Sequence, residues 1–293
     1  MADLTKMRLA YLGTPTFAVP TLERIVEDGH QVLSVLTQPD RPRGRGQQLA
    51  LSPVKEAALR FGLPVYQPER VRKPEVLEYL RLLELDAMVV VGYGQIIPQT
   101  MIDLVPLGVI NVHASLLPKY RGAGPIQWAI INGETHTGVT TMRIDAGLDT
   151  GDMLLKAETA IGPDENAVEL GRRLAVMGAD LLVKTLDNFT AIIADKQDNA
   201  QASYAPMLKK EDGLLDWNWP AETIHNRVRG LQPWPGAYTM FRGQRLYIRE
   251  TRIEAGRLIP MEVQLEGRKR MTVSDFTNGQ RISENEFWRE LRP

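Results

Sequence analysis

The chain has 293 residues, 43% of them hydrophobic, with a net charge of −1 and no cysteine. That length suits two domains with packed cores rather than disorder. The missing thiols exclude a disulfide framework, thiolate catalysis and zinc–thiolate sites.

Residues 7–12 read as a buried strand. Gly13-Thr14-Pro15 turns into a helix carrying Phe17, Leu22, Ile25 and Val26, and a second strand covers 31–37. This βαβ opening implies a doubly wound parallel sheet with a right-handed crossover. A dinucleotide-binding turn would read G-x-G-x-x-G. The turn from Gly13 to Ala18 has a single glycine, which disfavours a nicotinamide or flavin cofactor.

Residues 38–48, QPDRPRGRGQQ, are expected to be neither helix nor strand, because Pro39, Pro42, Gly44 and Gly46 interrupt both. Arg41, Arg43 and Arg45 accompany one acid, Asp40. The plain reading is a solvated surface loop. The sharper reading, which we favour, is a basic finger at the carboxyl end of a parallel strand that touches phosphates.

Ser52 is expected to cap a helix starting at Pro53. A short strand at 65–66, a helix at 75–83 and a buried strand at 86–91 follow. Residues 108–118, GVINVHASLLP, then begin as a strand through Val109, Ile110 and Val112. Asn111 and His113 are two apart, so on a strand they share a face. An amide beside an imidazole at a strand end can bind and polarise a carbonyl oxygen, as acyl-type transfer requires. A structural histidine at such a place is the commoner arrangement, so the pair alone does not decide.

A helix is expected at 125–131, a strand at 137–144 and an acidic loop at 145–152. The loop lacks the spacing of a calcium site. Either its acids serve the turn, or one carboxylate is aimed at His113 from the neighbouring strand end. A strand at 153–161 and a long apolar-faced helix at 166–189 follow. Residues 190–206 are polar and irregular and read as a linker between a domain at 1–189 and another at 207–293. The second holds a helix at 221–231 and a hairpin at 237–253, so a small β-domain is expected.

Charge is uneven. Residues 1–206 carry 20 Lys+Arg against 24 Asp+Glu, and residues 207–293 carry 15 against 12. The basic end permits an anionic partner such as nucleic acid. His30, His113, His136 and His225 lack ligand spacing, so no metal centre is expected. No apolar run reaches membrane-spanning length and residues 1–4 do not open a signal peptide, so a cytoplasmic location is expected.

Seven stretches together resemble a known family. They are LGTP at 12–15, TQPDRPRGRG at 37–46, SPVK at 52–55, NVHASLLPKYRGAGPIQWAI at 111–130, TGVTTM at 137–142, DAGLDTGDML at 145–154 and QPWPGAYT at 232–239. The N-x-H-x-S-L-L-P and L-D-T-G pair resembles the folate-dependent formyltransferase superfamily. The arginine loop and second domain narrow the resemblance to the methionyl-tRNA formyltransferases. The resemblance implies a Rossmann-like, doubly wound, mostly parallel α/β sheet followed by a small OB-like β-barrel. It also implies formyl transfer from 10-formyltetrahydrofolate to the α-amino group of methionyl initiator tRNA, for translation initiation and without a metal.

By position, Asn111, His113 and Asp149 match the family's catalytic trio. Ser115, Leu116, Leu117 and Pro118 match its folate-contacting segment, and Arg41, Arg43 and Arg45 lie in the loop that enters the tRNA acceptor stem. One departure concerns the second domain. Only residues 256–262 join Ala255 to Val263 where the family has more strand, so the barrel is shortened or incomplete. Two alternatives compete: a folate-dependent formyltransferase acting on a small amine, and an inactive RNA-binding protein on the same scaffold. The arginine loop and second domain argue against the first, the intact trio against the second.

Overall fold

A computed structural model describes residues 6–43 and 48–291. Its strands are β1 (Arg8–Gly13), β2 (Gln31–Leu36), β3 (Arg41–Arg43), β4 (Gln48–Ala50), β5 (Val65–Tyr66), β6 (Ala87–Val91), β7 (Val109–His113), β8 (His136–Arg143), β9 (Met153–Ala160), β10 (Tyr238–Phe241), β11 (Gln244–Glu254), β12 (Arg257–Leu265) and β13 (Met271–Thr272). Its helices are α1 (Val19–Glu27), α2 (Pro53–Arg60), α3 (Pro74–Leu82), α4 (Gln99–Ile102), α5 (Pro125–Ile131), α6 (Ala167–Asp187), α7 (Ala221–Gly230), α8 (Val273–Gln280) and α9 (Glu284–Leu291). Two compact units result. One takes in Met1–Arg121, Gly138–Glu158 and Arg172–Ser203, the other Gly122–Thr137, Thr159–Gly171 and Tyr204–Pro293. None of the described helices is long and apolar enough to cross a membrane.

The first unit is built on a seven-stranded sheet in the order β5-β2-β1-β6-β7-β8-β9. The first five of these run parallel, and β8 runs antiparallel to β7. The apolar runs in β1 and β6 serve both faces, as a doubly covered parallel sheet demands. Leu9, Tyr11, Val89 and Val91 pack with Leu22 of α1, Val54 of α2 and Leu182 of α6. Ala10, Leu12, Met88 and Val90 pack on the other face with Val76 and Leu80 of α3. The mostly parallel, doubly wound expectation is met. So is the cap: Ser52 Oγ accepts from Lys55 N at 3.1 Å.

Gly178 lets α6 lie close on β7. A Cβ there would stand 2.7 Å from Val112 Cγ1. Gly178→Val is therefore expected to cost about 1–3 kcal/mol through overpacking, read as a lower midpoint in chemical denaturation.

Residues 41–43 and 48 depart from expectation, while 44–47 lie outside the described residues. Arg41, Pro42 and Arg43 of β3 pair antiparallel with Ala50, Leu49 and Gln48 of β4. A two-stranded ribbon tolerates Pro42 because each of its strands is an edge. The root of this ribbon is fixed. Lys55 donates to Asp40, and Gln67 Nε2 donates to Asp40 Oδ1 at 2.9 Å. These bonds, Lys55's first, hold the Asp40 carboxyl below its ordinary pKa.

The second unit contains the expected antiparallel β-domain, a four-stranded sheet in the order β10-β11-β12-β13. Ala255 and Gly256, with φ of 48° and 74°, join β11 to β12 by a two-residue turn, the conformation that a tight hairpin favours. Leu214 adds an isolated parallel bridge to Tyr238 at the β10 edge, and the separate β-domain expected after the α/β sheet is present. Phe276 of α8 and Phe287 and Leu291 of α9 bury its inner face with Phe241, Leu246, Ile248 and Val263.

Candidate active site

The site grows from β7. Ile110 and Val112 join the core beneath α6, which turns Asn111 and His113 to the opposite face. Asn111 lies beside Val90 of β6 and Met142 of β8, and His113 beside Thr140 of β8. Both side chains are buried, and buried polar groups require partners. His113 Nε2 lies 2.9 Å from the Tyr120 carbonyl oxygen and donates to it. Its other nitrogen, Nδ1, faces Asp149 Oδ2 at 3.8 Å. That is an ion-pair separation, longer than a direct hydrogen bond. The structure thus brings His113 and Asp149 together, with Asn111 on the same strand face.

Asp149 does not come from the adjoining strand end. Because β8 is antiparallel, its last residue, Arg143, lies opposite Ile110 near the start of β7. The loop after it therefore climbs along β7 to the level of His113. Arg143 N donates to the Asp152 carbonyl at 2.9 Å and closes its base. Asp145 organises its first half, accepting from Gly147 N at 3.0 Å and from Thr150 Oγ1 at 2.7 Å. Of the first two acids, one serves the turn and the other faces His113. Asp149 itself has φ of 52° and Tyr120 has φ of 60°. Left-handed conformations at non-glycine residues cost on the order of 1 kcal/mol each and persist only where surroundings hold them.

After His113, Ala114, Ser115 and Leu117 turn inward. Ser115 is fully buried, and its Oγ donates to the Lys119 carbonyl at 2.6 Å. Leu117 packs with Met142 and Met153. Thr140 Oγ1 donates to the Ser115 carbonyl at 2.7 Å and accepts from Leu117 N at 3.2 Å. Leu116 and Pro118 are half-buried. Of the four residues expected to meet folate, the side chains of Ser115 and Leu117 are committed inward.

The polar stretch read as a linker is hydrogen-bonded along its length. Asp195 pairs with Met153. Ser203 accepts from Arg121 N at 2.8 Å through its carbonyl and from Tyr120 N at 2.9 Å through its hydroxyl. Arg121 is 2% exposed; it donates to Gln197 Oε1 and Asn199 Oδ1, both at 2.9 Å. Arg121, Gln197, Asn199 and Ser203 were not singled out by sequence. Nothing in a polar, aperiodic stretch signals a partner more than seventy residues away.

The three arginines stand apart from this cluster in sequence. Arg41 is exposed, with its guanidinium 3.5 Å from Glu69 Oε2. Arg43 lies on β3, and Arg45 lies outside the described residues. Among the described residues, Asp28, His30 and Asp187 form a group whose spacing could hold a metal ion. It lies at the opposite, amino edge of the sheet, since His30 precedes β2. Met7 N donates to His30 Nδ1 at 3.1 Å, so Nε2, the nitrogen facing both carboxylates, carries the proton and has no lone pair for a metal. Burial lowers the pKa of this imidazole.

The sequence family described as formyl transferase matches residues 7–186, and that described as formyl transferase, C-terminal domain, matches residues 207–259. The methionyl-tRNA formyltransferase of Solibacter usitatus (strain Ellin6076) is 66% identical, covering 96% of this chain and 98% of its own length. A solved N-formyltransferase from Helicobacter canadensis, in complex with folinic acid and dTDP-3-aminofucose, aligns with TM-score 0.65 and 20% identity, over 90% of this chain and 98% of that one. A methionyl-tRNA formyltransferase from Clostridium thermocellum aligns with TM-score 0.62 and 17% identity, over 88% and 98%. At those identities the two structures speak to the fold. The sequence matches go further, and the chain belongs to the formyl transferase family.

Proposed function

We propose that this chain transfers the formyl group of 10-formyltetrahydrofolate to the α-amino group of methionine on initiator tRNA, in the cytoplasm. The observation that carries the reading is the meeting of Asn111, His113 and Asp149 over one face of β7. The donor set fits a formyl group: an amide and an imidazole for the oxygen, and a carboxylate for the proton of the incoming amine. The folate supplies the formyl carbon and a nitrogen leaving group. Asn111 donates to the formyl oxygen as negative charge grows there, and His113 stabilises the same oxyanion. Asp149 faces the imidazole and relays the proton from the attacking amine to the departing folate nitrogen as the carbon–nitrogen bond to the new acceptor replaces the one to folate. Asn111, His113 and Asp149 are the proposed catalytic residues. The backbone of 115–118, with Leu116 and Pro118, is the proposed folate-facing edge.

Arg41, Arg43 and Arg45 are the proposed tRNA contacts. The Arg41–Glu69 pair is exposed on both sides, and such pairs are weak enough to exchange for a phosphate. Residues 1–189 would form the catalytic domain, 190–206 the connection, and 207–293 a second RNA-contacting surface. Arg43→Ala is expected to raise the KM for tRNA about tenfold, the scale of one charged phosphate contact, with the KM for folate unchanged. Equal loss on both substrates would contradict the loop assignment. The test of the whole reading is competition between methionyl initiator tRNA and a small amine such as a dTDP-amino sugar. Preference for the tRNA supports it; preference for the small amine overturns it.

A further inference from the structure

We infer that Gln197 is a positioning residue for Asp149, a role that rests on the part proposed above for Asp149 in formyl transfer. The side-chain amide of Gln197 donates to two carbonyl oxygens of the acidic loop, those of Asp149 and Gly151, each at 2.8 Å. Those two carbonyls flank Thr150, so the amide clips the turn from one side. Asp149 is the residue in that turn with a left-handed φ, a conformation that needs external support.

The clip is itself anchored. Gln197 Oε1 accepts from Arg121 Nε at 2.9 Å, which fixes the amide's orientation so that both its hydrogens point at the loop. Arg121 in turn is buried and bonded to Asn199 Oδ1. It follows Tyr120, whose carbonyl receives the His113 Nε2 hydrogen bond. Ser203 holds the amide nitrogens of both Tyr120 and Arg121.

The residues 197–203 thereby grip the two loops that flank His113. On one side they fix the carbonyl that orients its Nε2. On the other they fix the backbone that presents the carboxylate to its Nδ1. Gln197 is the member that touches the carboxylate's own residue. Without its two donors, the Asp149 turn loses two of the bonds that hold it, and the placement of the carboxylate against the imidazole loosens.

The test compares full-length wild type, Gln197→Glu, Asp149→Asn and the double variant. Glutamate keeps the side-chain length and the acceptor for Arg121, so folding is retained, but it cannot donate to either carbonyl. The kcat of Gln197→Glu is expected to fall roughly 10- to 100-fold, the scale of a small misplacement of a reacting group. Its KM for 10-formyltetrahydrofolate is expected to stay near wild type, and its thermal midpoint to fall by only about 2–4 °C, the scale of the lost hydrogen bonds. In the Asp149→Asn background the same change should cost less than about twofold, since residues acting as one unit are not additive. Wild-type kcat in Gln197→Glu, with Asp149→Asn impaired, would overturn the clip and leave the reading of Asp149 intact. Fully additive losses would also overturn it, because Gln197 would then act on something else. Wild-type kcat in Asp149→Asn would overturn the reading beneath it.

Discussion

His113→Ala is expected to lower kcat by on the order of 10²–10³, the range for losing one group that stabilises a developing oxyanion, while the Kd for 10-formyltetrahydrofolate stays within about threefold of wild type. The reason is the position of the ring. Its two nitrogens are engaged from opposite sides, Nε2 by the Tyr120 carbonyl at 2.9 Å and Nδ1 by the Asp149 carboxylate at 3.8 Å. The ring is buried at the end of a strand whose backbone pairs on both sides. It therefore has little freedom to reorganise, which is what makes a preorganised polar group effective at a developing oxyanion. Alanine removes the imidazole and leaves the strand, because Ile110 and Val112 supply its packing. Single-turnover formyl transfer, with folate binding measured in parallel, checks this result. A loss of folate affinity as large as the loss of rate would place His113 in binding rather than chemistry.

Asn111→Ala is expected to lower kcat by on the order of 10²–10³, the measured scale for removing one oxyanion donor, equivalent to about 3–4 kcal/mol of barrier. Asn111 shares the His113 face and lies two residues before it on β7, so the two groups can converge on one oxygen. The losses are expected to be non-additive. With His113 already absent, Asn111→Ala should cost much less than it does alone, because both groups serve one charge. Full additivity of the two losses in kcat would contradict a shared oxyanion.

Much of this arrangement is legible in the sequence because it follows from periodicity. The apolar runs of β1, β6 and β7 can be satisfied only by a sheet covered on both faces, and the two polar residues interrupting β7 stand out against that run. The pairing of His113 with Asp149 is less legible. It depends on β8 running antiparallel, so that its loop rises beside β7, and the strand pattern is the same in either direction. The inward turn of Ser115 depends on a carbonyl four residues on, and the strand pattern before it does not extend that far. The Gln197 clip spans 46 and 48 residues to its partners. A segment reading DKQDNAQAS has the composition of a solvated linker. The ribbon of β3 and β4 escapes notice for a related reason: Pro42 and the neighbouring glycines argue against strands, yet a two-stranded edge pair needs only half its donors. In the second unit, strand residues reveal the hairpin, but whether four strands close into a barrel depends on pairing between its ends.

The most direct test is formyl transfer from 10-formyltetrahydrofolate to methionine-charged initiator tRNA, with methionine-charged elongator tRNA and free methionine as parallel acceptors. The account predicts formylmethionine on the initiator alone. Transfer to free methionine at a comparable rate, or no transfer to any of the three by a protein that still binds folate, would contradict it.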